Sequence, residues 1–430
     1  MATKLQVPPS SSIVNVSVID STARLHNLSY YVAMTPLYPG YERSSVPCYV
    51  FLIHHPATNT RLLYDLALRK NFRTHLNPHL VKKMAPLQME FRVEKDTAEI
   101  LQENGLDLRD IDAIILSHHH FDHVGDTTKF PATTKLLVGP GTKATYWPGY
   151  PEDPDNQDST ADTYAGREVV ELAFEQSDPR VCEIGGFKAW DYFGDGSFYV
   201  LHTPGHTANH LSALARTTTA AAAAAATGGE SSTFILMAGD LVHSCMCFRP
   251  STRYPLPETI VLESTSSSES TITAPPSSSR PHSPSSHGTE PLARRHRLYQ
   301  PPPPPPSPSS LPPSTCTTSE DSRTQPFCLI AGAVEEDAAL SQANAGVLAD
   351  CFDTDEDVLV IYAHDDSLLD GVLEFFPRSD ANAWKEKGWG RKGHWRFLGR
   401  MVRALNNPGE GEDERTQKGE GQCVVPEDIS

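Results

Sequence analysis

The sequence predicts a fold of the α+β class, in which buried strands deliver polar side chains to one shared site. Short apolar runs with the alternation of strands recur along the chain, and four of them are followed closely by a histidine or an aspartate. Two further segments, 96–104 and 340–351, place apolar residues at helical spacing instead. Because α/β folds gather functional residues beyond strand ends, the four strand ends are expected to meet at one place.

The first elements follow a polar lead. Residues 1–12 are predicted to be flexible, and residues 13–19 then alternate apolar and polar side chains as a half-buried strand does. The runs 48–53 and 61–64 are predicted to be further strands. The segment 96–104 is predicted to be a helix that stops at the glycine following it.

The most informative segment is 117–125, which reads Ser-His-His-His-Phe-Asp-His-Val-Gly and follows the apolar run 111–116. The residues that fit the spacing His-x-His-x-Asp-His are His118, His120, Asp122 and His123. In a loop that leaves a strand end, this spacing points two imidazoles one way and sets a carboxylate and a third imidazole beside them. Imidazole nitrogens and carboxylate oxygens are the ligands that borderline-soft divalent metals prefer, so the segment predicts a metal site.

Three later strand ends carry partner residues. They are His206 after the run 197–201, Asp240 after the run 234–237, and His364 after the run 358–362. Taken singly, each is equally typical of an ordinary turn or a helix cap. Their appearance together, in this order, favours one site that all of them share.

These residues resemble the metallo-β-lactamase superfamily, and the resemblance runs from about residue 14 to residue 398 with two insertions left out. It implies an αββα sandwich, with two mixed β-sheets in the middle and helices outside. It also implies a two-metal centre in which His118, His120 and His206 hold one ion, Asp122, His123 and His364 hold the other, and Asp240 bridges them. We expect two zinc ions per chain, with iron or manganese as alternatives.

Within the superfamily the chain is similar to the N-acyl-homoserine lactonases. The segments that carry this similarity are 62–66, 194–197, 249–251 with 255–257, and 363–365. The lactonases have a tyrosine three residues after the bridging aspartate, where it assists the substrate carbonyl. Here that position is His243, which is therefore a candidate catalytic residue. It could equally bind metal or pack, and its presence puts an acyl-homoserine lactone substrate in doubt.

The resemblance implies a metal-dependent hydrolase in which a dimetal-bound hydroxide opens an ester-type carbonyl of a small-molecule substrate, with a lactone as the first choice. Asp122 is expected to act both as a ligand and as the proton carrier to the leaving oxygen. Asp126 and Asp365 are candidates for fixing the imidazoles, because each follows a ligand closely. The alternatives are hydrolysis of an acyl or glutathione thioester, and another metal chemistry on the same fold such as sulfur dioxygenation or phosphodiester cleavage.

A Ser- and Pro-rich insertion interrupts the predicted domain, which covers 13–257 and 327–400. Residues 258–326 have too few apolar side chains to offset their chain entropy, and we expect them to be disordered. Their six consecutive prolines are either a ligand for an adaptor protein or a stiff spacer. A flexible tail is predicted for 401–430. A non-catalytic interaction protein that uses the insertion as its partner surface remains the third class of function.

Composition limits the partners and the compartment. The net charge of −18 argues against nucleic acid, whose phosphates require a basic surface. No apolar run approaches the roughly 18 residues needed to span a bilayer, so no membrane partner is expected. The eight cysteines form no Cys-x-x-Cys pair, and the first residues have no apolar core of signal length. A cytoplasmic protein with reduced thiols is therefore predicted.

Overall fold

The computed structural model describes residues 4–156, 159–227, 231–257, 259–262, 270–273 and 323–406. The strands are β1 (Asn15–Ser29), β2 (Met34–Thr35), β3 (Arg43–His55), β4 (Thr60–Tyr64), β5 (Glu90–Arg92), β6 (Ala113–Ile115), β7 (Lys135–Val138), β8 (Val169–Glu171), β9 (Val181–Ile184), β10 (Phe187–Asp191), β11 (Phe198–His202), β12 (Leu211–Thr218), β13 (Thr233–Met237), β14 (Thr259–Leu262), β15 (Ser270–Thr273), β16 (Leu329–Ile330) and β17 (Val358–Ile361).

Helices connect these strands. The α-helices are α1 (Phe72–His75), α2 (Pro78–Met84), α3 (Thr97–Glu103), α4 (Phe121–Val124), α5 (Thr142–Thr145), α6 (Ala220–Thr227), α7 (Ala338–Val347), α8 (Trp389–Gly393) and α9 (Phe397–Asn406). Single 3₁₀ turns lie at Tyr30–Val32, Ala85–Leu87, Leu108–Asp110, Thr127–Lys129, Ala161–Thr163, Cys245–Cys247, Asp366–Leu368 and Ala381–Ala383, and a π-helical turn at Leu348–Phe352 extends α7. None of the described helices combines the length and the apolar content needed to cross a bilayer.

Two mixed sheets form the body of the protein. The first has seven strands in the order β5-β1-β3-β4-β6-β7-β8, with parallel pairing from β4 through β8. The second has six in the order β17-β13-β12-β11-β10-β9, and β13 and β17 are its parallel pair. Parallel pairing matters for the site, because it puts the carboxyl ends of β4, β6 and β7 at one edge and those of β13 and β17 at another.

One apolar layer lies between the two sheets. It contains Phe51 and Ile115 from the first sheet, and Val200, Ile235 and Ile361 from the second, all of them almost completely buried. Burying side chains of this size stabilises the fold by roughly 1.5–3 kcal/mol each relative to an exposed position. The sheets are therefore held face to face by their inward-pointing residues.

Helices cover the two outer faces. Successive strand residues alternate between faces, so Leu63 and Ile114 point away from the inner layer and pack in a cluster with Leu101 of α3. On the other side, Leu236 of β13 shares a cluster with Phe352 of the π-helical turn. The order of layers is helix, sheet, sheet, helix, and the predicted αββα sandwich is confirmed.

The helix predicted over 96–104 is also present. Asp96 caps α3 by accepting from the backbone N–H of Glu99, and the Glu99 carboxylate accepts from the backbone N–H of Asp96. This reciprocal arrangement satisfies two backbone donors that the first turn of a helix leaves unpaired.

The two ends of the chain differ from their prediction. Residues 4–12 were expected to be a flexible lead, but the backbone N–H of Leu5 donates to Asp355 at 2.7 Å, and Arg216 donates to the carbonyl of Pro8 at 2.6 Å. Helix α9 continues past residue 400 because Met401 is fully buried in the outer layer. The rest of both segments, 1–3 and 407–430, lies outside the described residues.

The ends of the Ser/Pro-rich insertion meet in space. The backbone N–H of Leu256 donates to the carbonyl of Arg323 at 2.8 Å, and the Arg323 guanidinium donates back to the carbonyl of Leu256 at 2.6 and 2.9 Å. Most of the segment 258–326 lies outside the described residues, apart from the β14–β15 hairpin and 323–326. The domain therefore closes across the insertion.

Because the two ends of the insertion meet, we predict that the insertion can be removed. We expect that replacing residues 258–322 with a short Gly/Ser linker will leave the fold and the metal content unchanged. Shortening the loop about tenfold lowers its closure entropy and should favour folding by up to roughly 2 kcal/mol. Thermal unfolding of the full chain and the shortened chain, with metal analysis of both, checks this. A lower melting temperature or loss of metal in the shortened chain would contradict it.

Candidate metal centre

The His-x-His-x-Asp-His segment leaves the carboxyl end of β6, a fully buried strand in the middle of the first sheet. Helix α4 begins directly after His120, so Asp122 and His123 stand in its single turn. This turn is held against the loop after β4, where the backbone N–H of Leu66 donates to the carbonyl of His123 at 2.8 Å. Gly125 ends the turn at φ 52°, and a Cβ there would lie 2.4 Å from Cβ of Leu66, so the close approach requires glycine.

The second sheet supplies three more side chains at its strand ends. His206 lies in the turn after β11, Asp240 follows β13, and His364 follows β17. Because β13 and β17 are parallel neighbours, their ends place Asp240 and His364 side by side. The backbone N–H of Asp240 donates to Nε2 of the buried His210 at 2.9 Å, which fixes the position of its carboxylate.

The structure brings all seven predicted ligand side chains into one cluster, with the Asp240 carboxylate at its centre. Its Oδ2 lies 3.9 Å from His118 Nε2, 3.2 Å from His123 Nε2 and 3.6 Å from His206 Nε2, and its Oδ1 lies 3.3 Å from His364 Nε2. His206 Nε2 is 2.9 Å from His120 Nδ1, and His364 Nε2 is 3.5 Å from Asp122 Oδ2. Six of the seven are buried, whereas His120 is half-buried. His120 is thus the most accessible of the seven.

Several subsets of this cluster could hold a metal ion, with ligand atoms within 4.8 Å of one another. In the described part of the chain they are His118 with His120 and His206, His118 with His123 and Asp240, Cys48 with Asp122 and His364, and His206 with Asp240 and His243. Asp240 belongs to two of these groups and lies within 4 Å of His118 and His206 in the first and of His364 in the third, so it stands at the centre of the arrangement.

Hydrogen bonds to the other ring nitrogen, Nδ1, orient three of the imidazoles. His118 Nδ1 is 3.0 Å from Ser117 Oγ, His123 Nδ1 is 2.9 Å from Asp65 Oδ2, and His364 Nδ1 donates to the carbonyl of Pro47 at 2.8 Å. With Nδ1 engaged, Nε2 is left as the atom that points to the centre.

Several ligand atoms in the middle of the cluster are suited to bind a cation. Within the described residues, Nε2 of His118, Nε2 of His123 and Oδ1 of Asp240 are buried and make no hydrogen bond of acceptable geometry. Two of them have only ionic neighbours, because His123 Nε2 lies 3.2 Å from Asp240 Oδ2 and Asp240 Oδ1 lies 3.3 Å from His364 Nε2. Leaving such atoms unsatisfied costs about 1–3 kcal/mol each. Imidazole lone pairs and a carboxylate oxygen are the ligands that divalent ions of the zinc type take, so the residues present fit the metals that the resemblance implies.

The protonation states point the same way. Burial lowers the pKa values of His118 and His120 well below 6.5, which keeps both rings neutral. Burial also disfavours charge on His123 and His364, but the negative charge of Asp240 outweighs it and raises their pKa values. In the metal-free chain these two rings therefore carry the positive charge that Asp240 requires. A divalent ion would replace those protons, since metal binding and protonation compete for the same nitrogen.

His243 lies on the rim of the cluster, with its side chain 11% exposed. Its Nε2 is 3.2 Å from Asp240 Oδ2, and its Nδ1 is 3.4 Å from Oε1 of Glu335. Burial disfavours the charged ring, but Asp240 and Glu335 together raise the pKa of His243 to about 9. Burial likewise disfavours the charged form of Glu335, but its two histidine neighbours, His206 and His243, outweigh this and lower the pKa of its carboxyl group.

The carboxylates that contact the imidazoles are not the two that the sequence predicted. Asp126 pairs with Arg69 at 3.3 Å, and Asp365 accepts from Ser367, so in the described part of the chain neither is hydrogen-bonded to an imidazole of the cluster. Asp65 and Glu335 do this instead. Asp65 stood within the lactonase-like segment 62–66, which was a usable signal, whereas no sequence pattern pointed to Glu335.

The comparisons with known proteins agree with this architecture. Residues 46–217 match the family model described as the metallo-beta-lactamase superfamily. The chain is 32% identical over 398 residues to gamma-lactamase FDB1 of Fusarium pseudograminearum, covering 91% of this chain and 84% of that protein. It is 32% identical over 407 residues to metallo-hydrolase mfmC of Annulohypoxylon moriforme, covering 94% and 91%.

A solved structure titled as a quorum-quenching N-acyl homoserine lactone lactonase is similar at 13% identity, with a TM-score of 0.46, covering 86% of this chain and 99% of that one.

The sandwich and its His/Asp cluster define a metal-dependent, hydrolase-type enzyme. The chain belongs to the metallo-β-lactamase superfamily, as the sequence predicted.

Proposed function

We propose that this protein is a metal-dependent hydrolase that opens the carbonyl of a small cyclic substrate, with a lactone as the first substrate class. The observation that supports it best is a set of buried ligand atoms that make no hydrogen bond within the described residues, His118 Nε2, His123 Nε2 and Asp240 Oδ1. These three residues offer ligand atoms within 4.8 Å of one another. Buried polar atoms that make no hydrogen bond destabilise the fold, so a cation bound by these atoms would stabilise it.

Two zinc ions are the proposed occupants. His118, His120 and His206 would hold one, Asp122, His123 and His364 the other, and Asp240 would lie between them. When bound, such ions polarise a carbonyl oxygen and lower the pKa of water to near 7. The chain itself orients the imidazoles and keeps bulk water out.

Two side chains on the accessible side are proposed to act on the substrate. Asp122 has its side chain 10% exposed and lies between His123 and His364, where it can pass a proton to the leaving atom. His243 stands at the rim with Nε2 facing the centre. If a bound carbonyl reaches His243, this ring stabilises the developing negative charge, a contribution worth about 10²–10³ in turnover for one such donor.

A γ-lactam is the second candidate substrate. The relative FDB1 is named a gamma-lactamase and is similar over most of both chains. A lactam, like a lactone, presents a ring carbonyl to the attacking hydroxide. Its leaving group is the ring nitrogen, which must receive a proton to become an amine as the ring opens. The proposed role of Asp122 serves this reaction as well as ester cleavage.

One experiment separates these substrates. Turnover would be measured on lactones, γ-lactams, acyl and glutathione thioesters and a persulfide, with the metal content determined on the same sample. Ring opening of a lactone or lactam with bound metal supports the proposal. Turnover confined to thioesters or to the persulfide would replace it with one of those chemistries, and an inert, metal-free protein would favour an interaction role.

Removing the metal should abolish activity, and adding it back should restore activity. We expect about two zinc ions per chain after purification without added metal, loss of hydrolysis with a chelator, and recovery on adding zinc back. A ligand present at 1,000 times its Kd stabilises a protein by about 4.1 kcal/mol, so the chelated protein should also melt at a lower temperature. Elemental analysis and thermal unfolding check both effects. A reproducible content near one or zero would contradict the two-metal centre.

A further inference from the structure

We propose that Glu335 is a shared positioning residue, whose single carboxylate orients both His206 and His243 toward the Asp240 end of the site. This inference rests on the proposed function, because it assigns Glu335 to the same metal centre. Nothing in the sequence pattern marks this residue, which lies 129 positions after His206.

Both carboxylate oxygens of Glu335 are engaged by neighbouring side chains. Its Oε1 lies 3.4 Å from Nδ1 of His206 and 3.4 Å from Nδ1 of His243, while its Oε2 accepts from Ser341 Oγ at 2.6 Å. The side chain is 1% exposed. A carboxylate has about four acceptor sites, so one group can take all three donors.

The backbone around Glu335 is fixed to the turn that carries His206. The backbone N–H of Glu336 donates to the carbonyl of His206 at 3.0 Å, and that of Asp337 donates to the carbonyl of Gly205 at 2.9 Å. Gly205 permits this contact, because a Cβ at that residue would lie 2.7 Å from Ser341 Oγ. The segment that follows the insertion is therefore hydrogen-bonded to the turn that carries His206.

The effect of this docking is to turn two rings the same way. With Nδ1 of each ring held by Glu335, Nε2 of His206 lies 3.6 Å and Nε2 of His243 lies 3.2 Å from the same oxygen, Asp240 Oδ2. His243 is thus bracketed by two carboxylates, which fixes its ring orientation although it stands on the rim. Neighbours that hold a ligand ring in this way typically contribute 10–100-fold to metal affinity or activity.

Three variants test the role: Glu335→Ala, Glu335→Gln, and Glu356→Ala as a control at an exposed glutamate of similar sequence position. Zinc affinity would be measured by competition with a chromophoric chelator, and the visible spectrum of the cobalt-substituted protein would report ligand geometry. Neither readout requires a substrate. Circular dichroism verifies that each variant is folded, and kcat and KM are measured separately.

We expect Glu335→Ala to lower zinc affinity about 10–100-fold and to change the cobalt spectrum. Glu335→Gln should lie between Ala and wild type, since one amide oxygen can still accept from one ring, and Glu356→Ala should match wild type. In a His243→Ala background, Glu335→Ala should lower kcat by a smaller factor than in wild type, because only His206 then remains to be oriented.

Two outcomes would overturn the inference and are distinct from failure of the proposed function. If the wild-type protein binds metal but Glu335→Ala keeps its affinity within about twofold and its cobalt spectrum, Glu335 does not position ligands. If Glu335→Ala does not fold, a Glu335→Leu variant, which fills similar space but has no acceptor atom, excludes the positioning role in the same way when it shows wild-type affinity and spectrum. A wild-type protein that binds no metal would refute the proposed function itself.

Discussion

Replacing Asp240 with alanine is expected to remove nearly all hydrolysis while the protein stays folded. The loss should exceed the 10–100-fold typical of residues that only orient a ligand, because Asp240 itself is proposed to touch both ions. Its two oxygens lie within 3.9 Å of five imidazole nitrogens, those of His118, His123, His206, His243 and His364. Without this carboxylate, the rings face one another with no anion between them.

The measurement combines kcat/KM on the best substrate, elemental analysis and circular dichroism. The backbone N–H of Asp240 is anchored on His210, and alanine preserves that bond, so the fold should survive. Asp110→Ala, at an exposed aspartate before β6, is the matched control and should behave as wild type. Turnover close to wild type with two bound ions in Asp240→Ala would show that the bridging position is wrongly assigned.

The residues that meet in the cluster could be predicted from sequence because their signals are local. His118, His120, Asp122 and His123 fall within six residues, and each remaining proposed ligand follows an apolar run that forms a strand. A strand end fixes where the next few residues go, so sequence order is enough to place them. The pairing of β4, β6 and β7 in parallel was not predictable in the same way, since it depends on contacts between distant segments.

The orienting residues were harder to find for the same physical reason. Asp65 is 58 residues from His123, and Glu335 is separated from His206 by the whole insertion. Sequence proximity favoured Asp126 and Asp365, but a side chain next to a ligand in the chain often points elsewhere. Asp126 instead neutralises the buried Arg69, a partner 57 positions earlier.

Local propensity also explains a smaller difference. The Thr/Ala/Gly-rich segment 217–229 predicts a lengthened surface loop between two strands, and its described part, 217–227, runs on from the end of β12. Within it, however, α6 forms over Ala220–Thr227. Alanine has the highest helix propensity of all residues, so a run of seven favours a helix even where no packing demands it.

The second large effect concerns stability rather than catalysis. Arg249→Ala is expected to destabilise the fold by about 3–5 kcal/mol, because it leaves the buried carboxylate of Asp353 without its partner. Arg249 donates from Nε to Asp353 at 2.8 Å, and its Nη1 donates to the carbonyl of His394 at 2.8 Å. Both side chains of the pair are less than a tenth exposed. The contact ties the segment after Asp240 to the π-helical turn and to the C-terminal helices.

Chemical unfolding at neutral pH measures this loss, which would be a large share of the 5–15 kcal/mol typical of a folded domain. The control is Arg109→Ala, which breaks an Arg–Asp pair of the same chemistry whose side chains are 80% and 43% exposed, and little change is expected there. Replacing Arg249 and Asp353 together with leucine should recover much of the stability, since no charge is then left unpaired.

The effect should also depend on pH in a defined direction. Burial alone would raise the pKa of Asp353, but the charge of Arg249 outweighs it and lowers that pKa. A carboxyl group with a depressed pKa in the folded state stabilises the protein above its unfolded pKa of about 3.9, and this contribution is lost as pH falls through the folded value. Wild type and Arg249→Ala should therefore differ most at neutral pH and converge in acid. A constant difference from pH 7 to pH 3 would mean that Arg249 stabilises the fold through packing and its bond to the His394 carbonyl, and not through the charge of Asp353.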